Sequence, residues 1–242
     1  MMNNFAPGLK MSLFTLFFLP VLLWLGNWQL DRASFKQGLE FEYLASMVRL
    51  PVDLAELDVS ALGKLENFTK IKAKGRYLDK IFLLDNQTTN GQVGYWVFQP
   101  FLTDKSRKNL IVNRGFIPSP VSRGVLPKVE SPVGNQVIEA TVWPFTGLPP
   151  LFQEDDWGGT WPKRIQTKDL AKMGKVSGSY PQELRIGAGE PGALEPIAQA
   201  EQFDDSKHLG YALTWFGLAV TLCVSYVVFG FSGKRGMRAE SN

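Results

Sequence analysis

His208 is the only histidine in the 242-residue sequence, and it stands at the mouth of an apolar run that continues without a charge to Phe231. An imidazole nitrogen binds iron, so one reading makes His208 an axial metal ligand to a haem, with Tyr211 and Trp215 packed against the porphyrin. The other reading is an interfacial histidine whose ring bonds a backbone carbonyl or a lipid headgroup. The residue types alone leave both open.

A second group lies towards the amino terminus. Trp28, Arg32 and Lys36 recur every four residues, so on a helix they share one face, with Gln29 beside them. As anchors, the indole would sit among headgroups and the cations on lipid phosphate. As a binding group, Arg32 or Lys36 would pair with a haem propionate or an acidic partner surface. A third group is Asn113-Arg114-Gly115 with Tyr95, Trp96 and Trp161. There a structural pairing of Arg114 inside a β domain is the simpler reading, a partner contact the sharper one. The doublets Asp155-Asp156 and Asp204-Asp205 point their members apart and make no positioned acid–base couple. No Gly-x-Ser-x-Gly, P-loop or dinucleotide fingerprint occurs. Nothing in the sequence argues for an enzyme.

Composition narrows the classes further. A net charge of +3 from 26 basic and 23 acidic residues is too small and too dispersed for nucleic-acid binding. The single cysteine, Cys223, forbids an intramolecular disulfide and excludes Cys-rich zinc and iron–sulfur sites. One histidine likewise excludes His clusters and two-His zinc hydrolases.

The elements that must position these groups are two apolar spans and a long middle. Residues 11–30 form an uncharged run of about 20 residues, enough for a helix across a ~30 Å hydrocarbon layer, and no small-x-small cleavage site follows it. Pro20 is tolerated inside such a span. Residues 208–231 form the second span. On a helical wheel Gly210, Thr214, Gly217, Thr221 and Ser225 share one face, a small-residue surface for a neighbouring membrane helix, while His208, Tyr211, Trp215, Leu222 and Tyr226 share another. Lys10 precedes the first span, and Lys234, Arg235 and Arg238 follow the second. The positive-inside rule therefore expects both termini in the cytoplasm and the middle, residues 31–207, in the periplasm.

Residues 33–50 continue from the first span as an amphipathic helix ended by Pro51. From Phe68 onward the pattern is β-like, with strands expected over 68–78, 81–84, 94–101, 109–117, 136–145 and 182–186. Residues 86–91 read as a turn and 103–108 as a hairpin loop. Thr167 would cap a short helix over 168–173, closed by Gly174, and the Gly/Pro-rich 187–196 reads as loop. The expected fold class is thus a membrane protein with two transmembrane helices flanking a mainly β (α+β) extracytoplasmic domain.

Several separated motifs agree with one family. Leu25-Gly26-Asn27-Trp28-Gln29-Leu30-Asp31-Arg32 with Lys36 resembles its first-helix signature. Gly75-Arg76-Tyr77, Gly94-Tyr95-Trp96-Val97-Phe98-Gln99-Pro100-Phe101 and Val112-Asn113-Arg114-Gly115-Phe116-Ile117-Pro118 resemble its strand motifs. His208-Leu209-Gly210-Tyr211-Ala212 with Trp215-Phe216 resembles its second-helix signature. The family is the surfeit locus protein 1, or Shy-type, group of cytochrome c oxidase assembly factors. The resemblance spans nearly the whole chain in the family's order. It implies a non-enzymatic, chaperone-like factor of the bacterial inner membrane that assists haem a delivery to cytochrome c oxidase subunit I. Haem A synthase and the lipid bilayer would be its further partners, and the suspected haem contact of the second helix carries over to His208. Phe116 stands where the family usually has Trp, which keeps bulk but loses an indole donor. A rival plan, a two-span membrane sensor with a periplasmic ligand domain, is weakened by the short stretch after Phe231. A polysaccharide chain-length regulator would need a heptad-bearing helical middle, which is absent.

Overall fold

On Lys70–Tyr77 every second side chain is buried and those between are exposed or half-exposed, as one face of a half-buried strand requires. That alternation, repeated, builds the middle of the chain. The computed structural model describes residues 5–55, 59–105, 109–122, 124–148, 155–197 and 203–232. Contacts divide the chain into two units, Glu42–Gln199 and the paired terminal segments Met1–Phe41 with Ala200–Asn242.

The terminal unit is a pair of helices, α1 (Leu9–Ser46) and a C-terminal helix (Ser206–Ser232), each long and apolar enough to cross a membrane. α1 is unbroken: the expected span and the expected amphipathic helix are one element, with Pro20 inside it. The middle unit holds β1 (Val52–Asp53), a 3₁₀ turn (Val59–Lys64), β2 (Lys70–Tyr77), β3 (Phe82–Thr89), β4 (Gln92–Thr103), β5 (Asn109–Pro118), β6 (Gln136–Trp143), β7 (Lys163–Ile165), α2 (Leu170–Ser177) and β8 (Ser179–Ile186). The C-terminal helix is therefore α3. Two apolar helices flanking a sheet-rich domain is the expected architecture.

The strand order is β1-β2-β6-β8-β5-β4-β3-β7, and a further pairing of β2 with β4 closes β2, β6, β8, β5 and β4 into a ring. Closure depends on a glycine. A Cβ on Gly75 would stand 2.1 Å from the Leu102 carbonyl oxygen, so no larger residue lets β4 approach there. One core draws alternate residues from all five ring strands, among them Ile71, Phe101, Val112, Ile138 and Leu184. A second lies on the opposite sheet face, where Leu170 and Met173 of α2 cover Phe82, Phe98, Ile111 and Ile165. Full burial of each such side chain contributes roughly 1.5–3 kcal/mol. The last turn of α1 belongs to this unit, with Tyr43 edge-on to Phe68 at 5.4 Å.

Three expectations shift. β3 continues to Thr89, and the turn is Asn90-Gly91 alone, with φ of 49° and 76° at its two residues. That is the hairpin geometry an Asn-Gly pair favours. α2 begins two residues later than expected: Asp169 caps it, accepting from the Lys172 N–H at 3.0 Å, and Gly178 closes it at φ 74°. A carboxylate suits a helix N-terminus better than the Thr167 hydroxyl, which is buried. Gly174 is interior, where a Cβ would meet the Ser179 carbonyl at 2.6 Å, so it serves packing rather than termination. β1 and β7, two and three residues long and paired in parallel, are additional.

A candidate histidine site between two helices

α1 and α3 run antiparallel, and their contacts descend one helix as they climb the other. The Ala6 N–H bonds the Gly230 carbonyl at 2.9 Å, and the Ser12 and Tyr226 hydroxyls meet at 2.9 Å. Gly26 lies against Phe216: a Cβ there would be 2.6 Å from the ring. Three residues further along α1, Gln29 meets His208, with Oε1 2.7 Å from Nδ1. Lys36 Nζ then donates to the Asp204 carbonyl at 2.7 Å, and the Gln37 amide to the Asp205 carboxylate at 2.6 Å.

The stripe that packs on α1 carries His208, Ala212, Trp215, Ala219, Leu222, Tyr226 and Gly230. The small-residue face expected to receive a helix is turned away from it. A Cβ on Gly210 or Gly217 would meet nothing within 4 Å, and the Thr214 and Thr221 hydroxyls fold back onto the carbonyls of Gly210 and Gly217. The close approach is supplied instead by Gly26 of α1, which accommodates an aromatic ring from the other helix.

The proposed binding residues therefore separate. His208 is half-buried and Trp215 lies on the same packed stripe, whereas Tyr211 is 58 % exposed. Trp28 and Arg32 are exposed and stack on each other, the guanidinium carbon 5.9 Å from the ring centroid. Lys36 is tied to the turn that leads into α3. The residue that touches the histidine is Gln29, buried at 9 % exposure and present in the same motif as Trp28. Helical spacing could have flagged it, since Gln29 falls on the stripe with Gly26 and Ala33, the inward side of α1. Nε2 of His208 makes no hydrogen bond among the described residues, so the ring keeps one nitrogen able to ligate a metal or exchange a proton.

The middle unit handles its charges differently. Glu183, fully buried, accepts from Lys168 at 2.5 Å, Arg185 at 2.6 Å and Asn113 at 2.8 Å. Burial would raise its pKa, but Arg185 and Lys168 overcome this and hold it at about 2. The Arg185 guanidinium lies over Trp143, 3.7 Å from the ring centroid, and 5.3 Å from that of Trp96. Arg114 is the extra residue of a bulge: Val97 faces Gly115 and Phe98 faces Asn113. Its side chain donates to Gln99 Oε1 at 2.5 Å and to the carbonyls of Gly192 and Glu130 at 2.6 and 2.7 Å. Tyr77 stacks beneath it, 5.3 Å away, and burial pushes that phenol up to about 12 despite the neighbouring cation. These partners favour the structural reading of Asn113-Arg114-Gly115.

A family model described as the SURF1 family matches residues 16–220. The chain belongs to the SURF1 family. Among its relatives is a SURF1-like protein of Rickettsia felis, 26 % identical across 91 % of this chain and 97 % of the relative. Surfeit locus protein 1 of Xenopus tropicalis is 27 % identical over 80 % of this chain and 67 % of its own length. The cytochrome oxidase assembly protein SHY1 of Saccharomyces cerevisiae is 25 % identical over 46 % of this chain and 29 % of the relative. The SURF1 motifs now have physical roles here. Gly75 permits ring closure, and Gly115 adopts φ 114° where a Cβ would lie 2.4 Å from the Glu195 carbonyl. Phe116, at the SURF1 Trp position, is 1 % exposed and seats its ring over Gly94.

Proposed function

We propose that this SURF1-family chain is a cytochrome c oxidase assembly factor of a bacterial inner membrane, assisting the delivery of haem a into oxidase subunit I. Haem a is its cargo, haem A synthase the donor side and subunit I the acceptor. The observation that carries the reading is the setting of the single histidine: Nδ1 is engaged by Gln29, while Nε2 has no partner among the described residues. A half-buried imidazole in that condition would be able to hold a haem iron through Nε2. The iron would supply a Lewis-acid centre for that nitrogen. His208 would hold the cargo, Tyr211 and Trp215 would give it an aromatic flank, and exposed Arg32 with its stacked Trp28 would meet a propionate. Lys36, already on the Asp204 carbonyl, would fix the approach to α3. The role needs no catalytic group, and the buried charges of the middle unit keep that domain in shape.

Protein purified from cells that make haem a tests this directly. Wild type should carry a haem spectrum that His208→Ala loses, with protein level near normal and assembled oxidase reduced. Identical spectra and identical oxidase activity would end the assignment. The topology has its own test. Alkaline phosphatase fused after Lys105 should be active and a fluorescent protein fused at Asn242 should fluoresce; the reverse pattern would overturn the periplasmic placement and the cytoplasmic termini.

A further inference from the structure

Gln29 and His208 stand 179 positions apart in the chain, yet their side chains meet at 2.7 Å on the packed faces of α1 and α3. An amide oxygen only accepts a hydrogen bond. With Oε1 facing Nδ1, the neutral ring must carry its hydrogen on Nδ1 and its lone pair on Nε2. A free neutral imidazole side chain prefers the opposite tautomer, so this contact would hold the ring in the less favoured form. Holding two helices together would not demand this: Ser12 with Tyr226 and the Ala6 N–H with the Gly230 carbonyl already bond them elsewhere. Gln29 is 9 % exposed, so its amide is largely shielded from solvent.

We propose that Gln29 is a positioning residue that locks His208 in the Nδ1–H tautomer and so presents Nε2 as a ready ligand. The lock is a property of this chain; its use for haem rests on the functional reading above. A hydrogen bond from the second ring nitrogen both orients a ligating histidine and raises its basicity, and losing such a partner typically weakens binding ~10–100-fold. Gln29→Met keeps the length and bulk of the side chain but removes the amide oxygen. Gln29→Glu restores an acceptor oxygen at the same reach.

The single histidine makes the measurement clean. Full-length protein labelled with ¹⁵N-histidine gives one imidazole, and at a pH where it is neutral its two nitrogen shifts report the tautomer without any haem present. Wild type and Gln29→Glu should show a protonated Nδ1 and a bare Nε2, and Gln29→Met should shift towards protonated Nε2. Titration with ferric protohaem, followed by its Soret band, should then give roughly tenfold or greater weakening for Gln29→Met, recovery for Gln29→Glu, and loss of the ligated spectrum for His208→Ala. A protonated Nε2 in wild type, or an unchanged tautomer in Gln29→Met, overturns the lock. The expected tautomers with no difference in haem binding between wild type and His208→Ala would uphold the lock and overturn the haem reading instead. Should Gln29→Met fail to fold, the wild-type shifts still decide the tautomer.

Discussion

The two units of this protein treat polar groups in opposite ways. In the β domain, Glu183 has three partners and Arg114 bonds three carbonyl-type oxygens around a stacked tyrosine. In the helix pair, His208 uses one ring nitrogen and, among the described residues, keeps the other without a partner. A saturated buried charge defines a shape, because every change of geometry breaks a bond. A ring with one nitrogen engaged and one spare is oriented without being used up. The contrast gives the barrel the saturated contacts that hold a shape, and it is the helices that the proposed ligand chemistry would use.

The largest expected effect tests the first half of that contrast. Arg114→Met removes the donor from the carbonyls of Glu130 and Gly192 and leaves Gln99 Oε1 with only the Ser131 hydroxyl. A buried acceptor left without its donor costs about 1–3 kcal/mol, and the losses around Arg114 together should show in denaturant unfolding of the full chain. A cost below about 1 kcal/mol, the worth of one ordinary hydrogen bond, would remove the claim that Arg114 organises the barrel.

Next comes Glu183→Gln, read through pH. The folded Glu183 is held at about 2, below the ordinary glutamate value near ~4.3. A depressed carboxylate contributes stability that is present above the unfolded value and lost as pH falls towards the folded one. Wild type should therefore lose on the order of 3 kcal/mol between pH ~5 and pH ~2 from this group. The glutamine variant should start less stable at neutral pH, since Lys168 and Arg185 then lack their counter-charge, and it should lack this acid limb. Parallel pH profiles for the two proteins would show that Glu183 does not titrate as the geometry requires.

Much of this was legible in the residues, and the reasons for the exceptions are physical. Both spans and the alternating strands follow from local pattern, which is why they could be read in advance; the turn expected over 86–91 narrowed to its last two residues, Asn90-Gly91, because β3 runs on to Thr89. β1 and β7 are too short to show a period. The Glu183 network joins residues from β5, β8 and the segment before α2, which meet only through strand pairing. At the histidine, the element and the special residue were legible but the partner was not. Spacing singled out Trp28, Arg32 and Lys36 because aromatic and charged types draw attention, whereas the inward stripe of α1 runs through Gly26, Gln29 and Ala33. Which stripe of α3 meets it depends on Gly26 fitting Phe216, a relation between two distant segments.

The helix faces can be separated by Gly26→Leu. Any side chain there begins 2.6 Å from the Phe216 ring, so the helices must part or the ring must turn. Overpacking of this kind costs about 1–3 kcal/mol. It should also disturb the neighbouring Gln29–His208 bond, visible as a shift of the lone imidazole signal. Unchanged thermal stability together with an unchanged signal would mean that α1 and α3 do not meet at this register.

The smallest expected effect is the most discriminating. Gly217→Leu places the same side chain one helical position from Phe216, on the face where a Cβ has nothing within 4 Å. The small-residue pattern of α3 taken alone predicts that this leucine blocks a helix contact. The packing found here predicts that it does not, because α1 occupies the other stripe. Replacing an interior glycine by leucine should even favour the helix by up to about 0.8 kcal/mol, since leucine is the better helix former. Thermal unfolding of the full chain in detergent should thus be unchanged or slightly raised for Gly217→Leu and clearly lowered for Gly26→Leu. The reverse ranking would mean that α3 presents its glycine face to α1, and the contact between Gln29 and His208 would have to be given up with it.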